Sequence, residues 1–125
     1  MRPGVGPVFP NPLVTPQDIE KLNQDVDIAT ELHYVYEAIT LTRTKLDGEV
    51  PLIGFTGAPW TLMAYMIEGG GSKTWCKSKR WLYTHPETCH KLLKVLTKLV
   101  STHLIEQASL HFISEIYSYK NLLNL

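Results

Sequence analysis

Pro51-Leu52-Ile53-Gly54-Phe55-Thr56-Gly57-Ala58-Pro59-Trp60 decides the fold reading: a short continuous apolar run, two glycines, and a proline placed to open a helix. An apolar run bounded by turn signals predicts a strand buried on both faces over about 51–55. Pro59 is suited to the first position of a helix over Trp60 to Glu68. A strand feeding a helix through a glycine turn exposes backbone N–H groups and side chains at the carboxyl end of a sheet, where α/β proteins place ligands. Gly54 and Gly57 then serve either ligand approach or close packing, and the residues alone leave both open.

Upstream, Pro3 to Pro12 holds too many Pro and Gly residues for regular structure and predicts a loop. Thr15-Pro16-Gln17-Asp18 combines a capping threonine, a first-turn proline and an acid, the start of a short helix to about Asn23. From Asp27, the residues Ile28, Leu32, Val35, Ile39 and Leu46 share one helical stripe, with Gly48 placed to end it. Downstream, Gly69-Gly70-Gly71 has no Gly-Lys-Ser/Thr ending, so it reads as a hinge or lid rather than a phosphate loop. Ser72 is read as the cap of a basic helix to about Thr84. His85-Pro86-Glu87 restarts a longer helix with Leu92, Leu93, Val95, Leu96, Leu99 and Val100 inside and Lys91, Lys94 and Lys98 outside. Leu110-His111-Phe112-Ile113 marks a second candidate strand at about 109–114.

Composition narrows the function classes. The 125 residues carry 12 bases and 12 acids, so the formal net charge is zero and a wholesale nucleic-acid or membrane-surface protein is disfavoured. Charge is uneven along the chain: residues 1–50 hold eight acids against four bases, and residues 73–98 hold seven bases against Glu87. The uncharged run Val50 to Ile67 contains Pro51, Gly54, Gly57 and Pro59, which argues against a membrane span. Two cysteines are too few for a disulfide scaffold, pointing to a reducing, intracellular setting. Cys76, His85, Cys89 and His90 lack the close paired spacing of a structural zinc site. Tyr65 points either into a ligand cleft or along a packed surface, and Trp60, Trp75 and Trp81 read as core or interface residues.

The segment from Val50 to Ser72, VPLIGFTGAPWTLMAYMIEGGGS, closely resembles the uroporphyrinogen decarboxylase family. Lys79-Arg80-Trp81-Leu82-Tyr83, Ala38-Ile39-Thr40-Leu41-Thr42 and the N-terminal Pro/Gly loop extend the likeness to about residues 1–107. The resemblance implies an incomplete portion of a (β/α)8 TIM-type barrel over 1–107, mostly helical, with a divergent tail over 108–125. It also implies a cytoplasmic or plastidic homodimer, here assigned to the cytoplasm, that uses no metal and no organic cofactor. The implied reaction removes the four acetate carboxyl groups of uroporphyrinogen III to give coproporphyrinogen III. Phe55 and Gly57 would line the substrate cleft, and Tyr65 would occupy the position of a substrate-contacting tyrosine.

Other parts of the family's site have no counterpart here. The resemblance places its arginine motif and its aspartate strand before Met1 and its serine and histidine after Leu125, so no catalytic residue is assigned. A complete (β/α)8 barrel takes about 250 residues. The chain is therefore expected to be an internal fragment or truncated form that is inactive alone. The alternative is a non-catalytic product that binds a full-length subunit, or an anionic partner through the basic helices of 73–98.

Overall fold

The computed structural model describes residues 7–122, with side chains as far as Leu110. A 3₁₀ helix, Pro16–Lys21, is followed by α1 (Ile28–Glu31), α2 (His33–Leu46), α3 (Pro59–Glu68), α4 (Cys76–Thr84) and α5 (Pro86–Leu122). Two compact units share these elements. The first takes the described residues to Asp25 together with Gly57–Val100, and the second takes Val26–Thr56 and the chain from Ser101 onward.

The first unit is built around α3, α4 and the first part of α5. Helical spacing puts Met63, Ala64 and Ile67 of α3, Trp81 of α4, and Cys89, Leu92 and Leu96 of α5 inside, where they meet Leu13 and Ile19. Lys91, Lys94 and Lys98 lie outside, as their register predicts. The N-terminal loop is tied to the end of α3: Leu13 N–H donates to the Met66 carbonyl at 2.8 Å and Phe9 N–H to the Gly69 carbonyl at 2.9 Å. Val8 and Gly70 form an isolated antiparallel bridge. Gly69, at φ +85°, caps α3 in the left-handed conformation that glycine tolerates best. The first two glycines expected to form a hinge or lid are thus held by the N-terminal loop.

Thr15 opens the 3₁₀ helix as expected. The Asp18 carboxylate accepts from Thr15 N–H at 2.8 Å, Val14 N–H at 3.1 Å and Lys21 Nζ at 2.7 Å. Ser72 does not cap α4. Its hydroxyl accepts from Trp75 N–H at 3.0 Å, one residue before the helix, and Glu68 Oε1 supplies the acceptor for the first turn.

The second unit carries the predicted stripe. Ile28, Leu32, Val35, Ile39 and Leu46 are all half-buried, and Tyr36 is the buried side chain of α2. The single helix expected from Asp27 is divided at Leu32, whose φ of −107° and ψ of 16° leave the α basin.

Both predicted strands are corrected. Among the described residues there is no named strand, and residues 51–58 are irregular. Ile53 and Phe55 are 85% and 84% exposed instead of buried. A strand exists through its ladder, and here the backbone of Phe55 bonds to a side chain, Gln107, rather than to another strand. The second candidate, at about 109–114, lies inside α5. No Pro or Gly occurs after Pro86, so nothing in the chain stops that helix where the apolar cluster suggested a strand.

Candidate functional site

In the second unit the 52–55 segment borders an open cleft of about 230 Å³, with Val35 and Ile39 of α2 on one side and His103 and Gln107 of α5 on another. The lining is mostly apolar. Gln107 is 6% exposed, and its carboxamide is fully directed at one residue: Oε1 accepts from Phe55 N–H at 3.0 Å and Nε2 donates to the Phe55 carbonyl at 3.1 Å. A Cβ on Gly54 would stand 2.9 Å from that Oε1, so a side chain there would displace the amide.

His103 is paired within the same unit. Its Nδ1 lies 3.0 Å from the Tyr36 hydroxyl, with the two rings 5.7 Å apart. Burial, helped by the charge of Glu106, raises the Tyr36 pKa, so the phenol stays protonated. Arg43 fastens α2 to α5 by donating from Nη1 to the Leu110 carbonyl at 2.8 Å.

The first unit holds the other two residues singled out from the sequence. Tyr65, half-buried on α3, packs edge-to-face on Trp75 with ring centroids 5.2 Å apart. Among the described residues its hydroxyl has no hydrogen-bond partner. Trp75 holds φ +55°, a conformation costly for a bulky residue, and Ser72 fixes its N–H. A Cβ on Gly57 would lie 2.9 Å from Leu62 Cδ2, so the glycine lets that side chain pack closely. Phe55 belongs to the second unit and Gly57 and Tyr65 to the first.

Sequence reasoning passed over Gln107, His103 and Glu68. A signal was available for the first two: Leu92, Leu96, Val100, His103 and Gln107 follow at intervals of four, four, three and four, so two polar residues occupy the inward register of a helix. Such positions call for internal partners. Of the tryptophans, Trp81 is buried and Trp75 half-buried, while Trp60 is exposed. Among the described residues no group of three His, Cys, Asp or Glu could hold a metal ion. No helix there is long and apolar enough to cross a membrane.

Comparison with known proteins supplies what the local geometry leaves unspecified. The family model described as uroporphyrinogen decarboxylase (URO-D) matches residues 1–111. The uroporphyrinogen decarboxylase of Danio rerio is 61% identical over 107 residues, covering 86% of this chain and 29% of that protein. That of Schizosaccharomyces pombe is 60% identical over 102 residues, covering 82% of this chain and 28% of the relative. The human protein is 56% identical over 107 residues, again 86% of this chain and 29% of its own length. The chain spans under a third of the curated relatives it matches.

Proposed function

The chain belongs to the uroporphyrinogen decarboxylase family, and from that premise we propose that it forms part of a carboxy-lyase acting on the acetate side chains of uroporphyrinogen. The observation that carries this reading is 61% identity sustained over 86% of the chain, through the 52–72 segment that holds Phe55, Gly57 and Tyr65. Residues 1–107 act as one portion of a (β/α)8 barrel, and 108–125 as a divergent tail. The complete enzyme is a cytoplasmic homodimer that needs no metal or organic cofactor.

Protonation of a pyrrole carbon makes the ring an electron sink. The bond between the acetate methylene and its carboxylate then breaks, carbon dioxide leaves, and the electron pair enters the ring; the resulting exocyclic methylene takes a proton to become methyl, and loss of the proton first added to the ring carbon restores the pyrrole. The enzyme has to stabilise the cationic ring and hold the carboxylates. Within this chain, the Tyr65 hydroxyl donates a hydrogen bond to the substrate, the exposed Phe55 ring packs against the tetrapyrrole face, and Gly57 admits it closely. The carboxylates of Asp18 and Asp27 are committed to helix starts and take no part. The aspartate facing the pyrrole N–H groups and the arginines come from the rest of the polypeptide.

The test uses the Danio rerio enzyme with its matching segment replaced by residues 1–107. Tyr65→Phe in that chimera should lower kcat/KM about tenfold or more, the loss of one hydrogen bond made to substrate, with an unchanged melting temperature. Unchanged kinetics would remove Tyr65 from the site.

A further inference from the structure

We infer that Gln107 is a positioning residue, whose carboxamide fixes the backbone of Phe55 and so aims the Phe55 ring at the tetrapyrrole; this rests on the reading that Phe55 lines the substrate cleft. The two bonds from Gln107 reach the N–H and the carbonyl of the same residue, at 3.0 Å and 3.1 Å. Those groups flank the Phe55 Cα, so fixing both fixes the direction of the Cα–Cβ bond. An antiparallel partner strand achieves the same by exchanging both bonds with one residue. Here a side chain does it from a helix.

The contrast in burial shows what the clamp is for. Gln107 is 6% exposed while Phe55 is 84% exposed, so a buried amide anchors the peptide beneath an aromatic ring that faces open space. Among the described residues, the clamp on the Phe55 peptide is the contact that sets the direction in which the ring leaves the backbone. Gly54 is part of the device, because a Cβ there would stand 2.9 Å from Gln107 Oε1. A buried carboxamide without its partners would be costly, so the pairing is selective for this peptide.

The chimera of residues 1–107 in the Danio rerio enzyme tests the assignment, because Gln107 is its last grafted residue. Gln107→Leu removes both bonds and should raise KM for uroporphyrinogen about tenfold, the equivalent of one buried hydrogen bond. Gln107→Glu discriminates further. Its carboxylate accepts from Phe55 N–H but cannot donate to the carbonyl, whereas the protonated acid does both. Its KM, taken as a ratio to the parent chimera, should therefore fall toward unity on acidification and rise as the new carboxyl ionises. His103, Tyr36 and Glu106 are present in both proteins, so the ratio compares them at the same pH with the residue at 107 as the one difference.

A role in stability alone would reduce the active fraction, lowering apparent kcat and leaving KM where it was. That result, or a flat KM ratio, overturns the assignment. Should the parent chimera lack turnover, the decarboxylase reading fails, and exchange of the Phe55 amide judges the clamp by itself. Slow exchange that becomes fast in Gln107→Leu upholds it, and equal exchange in both overturns it.

Discussion

Glu68 and Ser78 join α3 to α4 through a single oxygen: Glu68 Oε1 accepts from the Ser78 backbone N–H at 3.1 Å and from its hydroxyl at 3.2 Å. The same oxygen accepts from Lys77 N–H at 2.9 Å, so the last residue of one helix caps the first turn of the next. A carboxylate there satisfies free N–H groups and lies at the positive end of the helix dipole. Ser78 is fully buried, and its single hydroxyl proton is shared between that oxygen and the Ala64 carbonyl at 3.2 Å.

Removing this cap should be felt in stability. Glu68→Ala is expected to cost about 1–2 kcal/mol and Glu68→Gln, which keeps an acceptor oxygen, about half of that. Urea midpoints of the three proteins measure it; equal losses for Ala and Gln would show that the acceptor is irrelevant.

Core packing gives a larger effect. Leu92, 1% exposed, lies at the centre of the first unit's apolar cluster, and Leu92→Ala should destabilise by about 2–5 kcal/mol. Its exposed neighbour changed as Lys91→Ala should shift stability by less than about 0.5 kcal/mol. A Leu92→Ala loss no larger than that of Lys91→Ala would contradict the packing described.

The two cysteines differ in access. Cys76 is exposed, whereas Cys89 is buried and burial pushes its thiol pKa up. A thiol reagent at neutral pH should label Cys76 in the folded chain and reach Cys89 after denaturation. Equal labelling rates before unfolding would place Cys89 outside the core.

Acid sensitivity should trace to Asp18. The Lys21 ammonium, then the N–H groups of Thr15 and Val14, hold its carboxyl well below the usual carboxylate range. A depressed folded pKa means that the stabilisation is present above the ordinary value, about pH 4, and is lost as pH falls below it. Asp18→Asn should flatten the fall of the urea midpoint in that window. Curves that stay parallel would assign the acid response elsewhere.

Helices were legible in the sequence where caps and periodicity agreed. Pro59 opening α3, Pro86 opening α5, and the Leu92, Leu96 and Val100 stripe all follow from local chemistry. The irregular path of 51–58 was not, because an apolar run states only that a segment has buried partners somewhere. Within the described residues Ile53 and Phe55 have few, and the backbone of Phe55 finds Gln107, 52 positions away. The same limit hid Glu68, whose role depends on Lys77, nine residues on in the first turn of α4. Of the candidate site, Tyr65 was singled out by its place in a motif, but its contact with Trp75 required the turn between α3 and α4.

The most direct measurement is product formation by the chimera in which residues 1–107 replace the matching segment of the Danio rerio enzyme. The account predicts that uroporphyrinogen loses its acetate carboxyl groups as carbon dioxide, at a rate within about tenfold of the unmodified relative. A chimera with the relative's melting temperature that releases no carbon dioxide would contradict it.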